Sequence, residues 1–143
     1  MSSREKTHKL SVQGISAQQI WKVWTDINNW HTWDLDIEWA KIEGPFENGN
    51  FFYLKPKGGP KVKITLENIE HQKTFSDLAR FPLAKMYSIH KMTPINGGFE
   101  LIHTVRVEGL LSALWWQLVG KNVAAGMEEQ TKKLVERARD IRE

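Results

Sequence analysis

The feature that most constrains this chain is the punctuation of its middle. Between Ile37 and Glu108, turn signals return every ten to fifteen residues, as "ENGN", "KGGP", "EHQK", "FPLA" and "INGG". The runs between them, among them "FFYLKP", "KVKITLENI", "KMYSIHKMT" and "FELIHTVRVEG", alternate apolar and polar residues. Asn-Gly and Gly-Gly readily take the positive φ that tight hairpin loops require. An antiparallel meander of about six strands is expected. After Gly109 the apolar spacing changes to three and four, which predicts a helix from about Leu111 to Ile141. At about 1.5 Å per residue such a helix is about 45 Å long. One twisted sheet cannot bury its apolar face unaided, so this helix must lie across it.

The segment before the meander adds an edge strand and two short helices. "KTHKLSVQGI" alternates like a strand. "SAQQIWKVWTD" opens on Ser16 as N-cap with Gln19 at the capping-box position, and Ile20, Val23, Trp24 and Ile27 recur at helical spacing. Asp26 can cap a second turn across Asn28 to Thr32. The fold class is therefore α+β: a curved antiparallel sheet of about seven strands wrapped around a long C-terminal helix, with two short helices after strand 1. Residues 1–143 are expected to form a single domain of this helix-grip kind, with a cavity between sheet and helix.

Composition narrows the function classes. The net charge is +3, from 20 basic and 17 acidic side chains that are mixed along the chain, which argues against nucleic acid as a partner. There is no cysteine, hence no disulfide framework and no thiolate chemistry. No apolar run approaches the roughly 20 residues of a membrane span, so no stable membrane insertion is expected. "MSSREKTHKL" lacks the apolar segment of a signal peptide. A cytoplasmic protein, monomer or homodimer, is the expectation.

The frame "IWKVWTDINNWHTWDLDIE", followed by "GPFENGN", "LKPKGGP", "FPLAKM" and "VEGLLSALWWQLVGKNVAAGMEEQTKKL", resembles the START-like (SRPBCC) superfamily. Within it, the chain is most similar to the bacterial "polyketide cyclase/dehydrase and lipid transport" family, from about Lys9 to Arg139. The resemblance implies a helix-grip fold with an apolar cavity. It implies little about chemistry, because members include lipid carriers, plant allergens, aromatic cyclases and co-chaperones.

Residue parity carried through two-residue turns assigns the faces of the sheet. One face collects Phe51, Tyr53, Val62, Ile64, Leu66, Phe75, Asp77, Ala79, Met86, Ser88, His90, Met92, Phe99, Leu101, His103, Val105 and Val107. It is apolar and aromatic and is taken as the inside. Parity also points Ala40 and Ile42 inward and Trp39 outward. Leu114, Trp115 and Leu118 on the long helix are expected to face the cavity from the other side. Trp24 is expected in the core, and Trp30 with Trp33 at the mouth, where they cover the end of the core or gate the entry of an apolar ligand.

Asp77, Ser88, His90 and His103 cluster in the middle of that apolar wall. Polar groups there are unfavourable unless hydrogen-bonded. They serve best as an anchor for a ligand's carbonyl or hydroxyl; the other readings are an inert buried network and an acid–base pair of His90 or His103 oriented by Asp77. No nucleophile elbow supports a Ser–His–Asp hydrolase, and no metal or cofactor is expected. Asp34, Asp36 and Glu38 alternate along one strand face, taken as solvated. The lysines of "KPKGGPKVK" form a solvated hairpin tip. The leading expectation is a carrier or sensor of a small apolar or amphipathic molecule. The alternatives are a polyketide cyclase or dehydratase and a co-chaperone-like interaction module whose core is filled by side chains.

Overall fold

A computed structural model describes residues 3–141. Seven strands form one antiparallel sheet: β1 (Ser3–Gln13), β2 (Ile37–Ile42), β3 (Phe51–Pro56), β4 (Val62–Glu70), β5 (Thr74–Phe81), β6 (Ala84–Ile95) and β7 (Gly98–Glu108), in the order β1-β7-β6-β5-β4-β3-β2. The meander is thus consecutive from β2 to β7, and β1 closes on the far side of β7. Helix α1 (Ala17–Thr25) follows β1, and a 3₁₀ helix spans Ile27–Thr32. Ser16 and Gln19 make the expected capping box at the start of α1. Asp26 does not cap the second helix through its side chain; its carboxylate accepts instead from Asn29 Nδ2 at 2.9 and 3.0 Å.

Register holds where the loops are as short as expected. Asp77 pairs with Ser88 and Phe75 with His90 across β5–β6, while His90 pairs with His103 and Met92 with Leu101 across β6–β7. Leu66 pairs with Asp77, which keeps both on the inner face, beside a register shift near Asn68 at φ 51°. Parity fails at the β3–β4 turn. Phe52 pairs with Ile64 and Leu54 with Val62, so the connection holds an odd number of residues and β3 is inverted. Phe51 and Tyr53, expected inside, lie on the outer face. Their rings meet edge to face at 5.6 Å, and Lys63 and Lys61 lie over them at 4.3 and 4.7 Å. Phe52 and Leu54 take the inner positions. The β2–β3 connection is also odd, with Ile42 opposite Phe52, so a second inversion restores Ala40 to the inside and Trp39 to the outside.

The C-terminal helix is not one regular rod. It runs as α2 (Ser112–Trp115), a π-helical turn (Trp116–Gly120), α3 (Lys121–Ala125) and α4 (Met127–Arg139), with Gly126 between the last two. The wider π turn rotates the phase of everything that precedes it. The buried stripe is therefore Ser112, Gly120, Ala124, Met127, Thr131, Leu134, Val135 and Ala138. Leu114 and Leu118, expected at the cavity, are 46% and 54% exposed. Trp115 turns to the outside as well, stacking on Phe81 at 4.6 Å with its indole N–H donating to the Pro82 carbonyl at 2.9 Å.

Gly109 sets the angle at which the chain leaves β7 for this helix. Its φ is 119°, and a Cβ there would lie 2.6 Å from the Leu83 carbonyl oxygen, which also accepts from the Leu111 amide at 3.0 Å. Gly109→Ala should destabilise the fold by about 2–4 kcal/mol. Gly49→Ala provides the comparison, since φ is 88° there but nothing lies within 4 Å, and it should cost only about 1 kcal/mol. Urea denaturation of the two variants measures the difference; equal costs would mean that the contact with Leu83 is unimportant.

Candidate functional site

The inner face of the sheet and the helix do not close on each other. They enclose a cavity of about 480 Å³. The sheet supplies Phe52 and Leu54 from β3, Val62 and Ile64 from β4, Phe75, Asp77, Ala79 and Phe81 from β5, Met86, Ser88 and His90 from β6, and Leu101 and His103 from β7. The helix supplies Val119, Asn122, Val123, Gly126, Gln130, Thr131 and Leu134, while Trp24, Trp30 and Trp33 come from the first two helices. Asp34, Asp36, Pro56 and Lys57 form a rim where the segment before β2 meets the β3–β4 turn, and the Lys57 amide donates to the Asp36 carbonyl at 2.9 Å.

Ten of the residues expected at a ligand site therefore line this space: Trp30, Trp33, Ile64, Phe75, Asp77, Met86, Ser88, His90, Leu101 and His103. Leu66, Met92 and Val105 point inward yet are consumed by packing. Leu66 and Met92 belong to the main core, and Val105 lies beneath Ala124 and Met127. Phe51, Tyr53, Leu114, Trp115 and Leu118 are elsewhere. Phe52 and Leu54 were hidden by the inverted parity of β3. The helical lining was hidden by the π turn. Asp34, expected on a solvated strand face, precedes β2 and is buried: its carboxylate accepts from Gln130 Nε2 at 2.8 Å and from the Asp36 amide at 3.1 Å. Of the three carboxylates in that segment, Glu38 does face outward, in an ion pair with Lys55.

The polar cluster expected in the middle of the sheet is assembled, with a specific division of partners. Ser88 Oγ and His103 Nε2 share a hydrogen bond of 2.9 Å. Asp77 Oδ2 lies 3.6 Å from His90 Nε2, beyond hydrogen-bond length. The imidazoles of His90 and His103 stack at 4.2 Å, and Phe75 stacks on the other face of His90 at 4.4 Å. Serine and carboxylate thus address different histidines, which does not make a Ser–His–Asp relay. Among the described residues no group of three or more His, Asp or Glu could hold a metal ion.

Burial dominates the electrostatics. It pushes Asp77 up to about 7 and His90 down to about 3, and it holds His103 well below its usual range, with smaller contributions from His90 and from His8 across the β1–β7 pairing. Burial also raises Asp34, against its hydrogen bonds from Gln130 and the Asp36 amide. Both imidazoles are consequently neutral near pH 7. Asp77 is thereby the buried group whose titration falls nearest neutrality.

No family sequence model matches the chain, and no curated protein matches it. Solved structures do. Ara h 8.0201 superposes with a TM-score of 0.77 at 13% identity, covering 98% of this chain and 100% of the other. Norcoclaurine synthase from Thalictrum flavum, solved in complex with dopamine and hydroxybenzaldehyde, gives 0.74 at 12% identity, with coverage of 99% and 90%. A START superfamily protein from Mycobacterium smegmatis gives 0.67 at 16% identity, with coverage of 96% and 97%. These likenesses establish a START-like helix-grip fold.

The two large shifts make opposite contributions to stability. Unfolded aspartate titrates near 3.8, so between there and about 7 the unfolded chain holds fewer protons at position 77, and stability falls as pH rises. For His90 the unfolded value is 6.5 and the folded one about 3, so stability falls as pH drops through that window. The terms oppose each other between about pH 4 and 6.5. Asp77→Asn removes only the first, and should be more stable than the parent above pH 7 by at most about 4 kcal/mol. The advantage should shrink on acidification and be gone by about pH 4. Denaturant titrations at about pH 4, 6 and 8 measure it; parallel stability profiles would show that Asp77 is not held uncharged by burial.

Proposed function

We propose that the protein binds a small, mostly apolar molecule inside the cavity, as a carrier or sensor. The observation that carries this reading is the unfilled volume of about 480 Å³ with aromatic and aliphatic walls and one polar end. Ligand sites of drug-sized molecules typically measure roughly 300–1,000 Å³ and combine such walls with a few convergent polar groups. A co-chaperone-like module with a filled core fits this interior less well. The proposed ligand contacts are the ten lining residues expected from sequence together with Phe52, Leu54, Trp24, Val119, Val123 and Leu134. Access would be at the rim formed by Asp34, Asp36, Pro56 and Lys57.

An enzymatic reading has one observation in its favour, the buried Asp77 beside a neutral His90. A cyclase or dehydratase would use Asp77 as the group that takes up and returns a proton, with His90 and the Ser88–His103 pair orienting a substrate oxygen. Norcoclaurine synthase was solved with two small aromatic molecules, so the fold is compatible with both binding and catalysis.

The parent should take up an environment-sensitive apolar dye with a dissociation constant of tens of micromolar or better, about −6 kcal/mol. Ala79 faces the cavity from β5 and is buried, so Ala79→Phe should fill part of the volume, remain folded and weaken the dye at least about tenfold. Leu114→Ala, on the outer side of the helix, should leave binding unchanged. Absence of dye uptake by the parent, or equal effects of the two variants, counts against an internal site. Turnover of a bound compound would convert the carrier into the enzyme.

A further inference from the structure

The polar end of the cavity has a defined chemical preference, and its centre is Asp77. This carboxylate is 9% exposed, lines the cavity, and has no hydrogen-bonding partner among the described residues. His90 Nε2 lies 3.6 Å from its Oδ2, beyond hydrogen-bond length. A buried carboxylate normally has a cation or several N–H donors around it. None of the described residues supplies either, and Asp77 lines the cavity.

The surroundings of Asp77 are rich in acceptors and aromatic faces. Neutral imidazole and serine hydroxyl can each accept, and His90 and Ser88 both line the same space. Trp24 lies 5.4 Å from Phe75 and 6.0 Å from His90, ring centre to ring centre, and Phe75 stacks on His90. Aromatic faces attract cations. The titratable groups sharing the cavity are His90 and His103 on the sheet and Asp34, Asp36 and Lys57 at the rim; the helical wall contributes the uncharged Asn122, Gln130 and Thr131. Lys57 is the single lysine or arginine of the lining, and it is an exposed residue of the β3–β4 turn, on a different element from the carboxylate on β5. At the rim Asp34 already has Gln130 and a backbone amide, and Asp36 Oδ2 comes within 3.4 Å of where a Cβ at Gly126 would stand. Three carboxyl groups thus face one lysine in the lining, and above about pH 7, where Asp77 ionises, Asp77 is the one without a hydrogen bond from the described residues.

We propose that this cavity selects a protonated amine as head group, so that the ligand is an apolar amine rather than a fatty acid or an anionic lipid, an inference that rests on the cavity being a ligand site. An ammonium group carries three donors and no acceptor, which complements a carboxylate, a hydroxyl and a neutral imidazole beside aromatic rings. A buried ion pair forms, and the desolvation of each charge is offset by the other. A carboxylate head would meet Asp77 as a like charge in a low-dielectric space, with no cation within reach. An alcohol can donate once and sits between the two.

Three ligands with one tail test this: 4-phenylbutylamine, 4-phenylbutanol and 4-phenylbutyrate, each titrated against the bound apolar dye at about pH 8. The amine should displace the dye at least about tenfold more tightly than the alcohol, and the carboxylate should be the weakest. Asp77→Asn should lose the amine's advantage while keeping the alcohol's affinity, a change in ratio that loss of packing alone does not produce. A carboxylate as tight as the amine overturns the proposal, as does an amine-to-alcohol ratio untouched by Asp77→Asn. Carboxylate binding that disappears in Lys57→Gln overturns it too, by placing head groups at the rim. The parent's own ranking decides the matter even where the variant does not fold. If the parent binds neither the dye nor any of the three compounds, the ligand-site reading itself falls and the inference falls with it. Dye uptake with the wrong ranking removes only the inference.

Discussion

The structure depends on how a long helix is seated against a sheet that curves away from it. Contact is close where the helix offers small residues. A Cβ at Gly120 would stand 2.9 Å from Val107 Cγ2, and Ala124 packs with Met127 over Val105. Toward β3, β4 and β5 the sheet bends off, and the facing positions are Val119, Asn122, Val123 and Gln130, whose side chains do not span the gap. The sheet must be covered because its inner face is apolar, and the helix, even segmented at Trp116–Gly120 and Gly126, does not follow its curvature throughout. A cavity is the geometric remainder of those two requirements.

The tryptophans of the first helical segment close the ends of that remainder. Trp21 and Trp24 meet edge to face at 6.1 Å and join Phe46 and Phe75, with ring centres 5.3 to 5.9 Å apart along the chain of contacts. Such edge-to-face pairs add to the burial of large rings. Trp30 packs on Phe52 at 5.3 Å, and its indole N–H donates to the Val23 carbonyl at 3.2 Å, tying the 3₁₀ helix to α1. Trp24, Trp30 and Trp33 also have ring surface on the cavity. One set of aromatic side chains thus serves the core and the lining together, and carrying both roles explains the density of tryptophan in a short segment.

Electrostatics divides the molecule sharply. On the outer face charges are paired loosely in solvent, as Arg106 is with Glu5 at 3.0 Å and Lys132 with Glu128 at 3.1 Å, interactions of little consequence for stability. Inside, burial keeps both histidines neutral and lifts Asp77 toward neutrality. The interior polar groups make a poor contribution to folding and a good one to recognition, because an incoming ligand can satisfy what the protein leaves open. That asymmetry is the reason the cluster reads as a binding feature.

The sequence alone determined the order of the elements, the capping box at Ser16, the meander and the apolar character of its inner face. Each follows from local chemistry: turn residues, period-two alternation and a side chain that bonds its own helix start. It also determined the grouping of Asp77, Ser88, His90 and His103, because the β5–β6 and β6–β7 loops leave no choice of parity. Tertiary structure alone decided that Phe52 and Leu54, not Phe51 and Tyr53, face inward. "KPKGGPK" can close through an even or an odd number of residues with little difference in local energy, and one residue exchanges the faces of the whole strand. Packing likewise decided the phase of the C-terminal helix. The π turn at Trp116–Gly120 and the break at Gly126 answer to the sheet beneath them rather than to any helical preference in the segment, so the periodicity that placed Leu114, Trp115 and Leu118 at the cavity ended one turn too early.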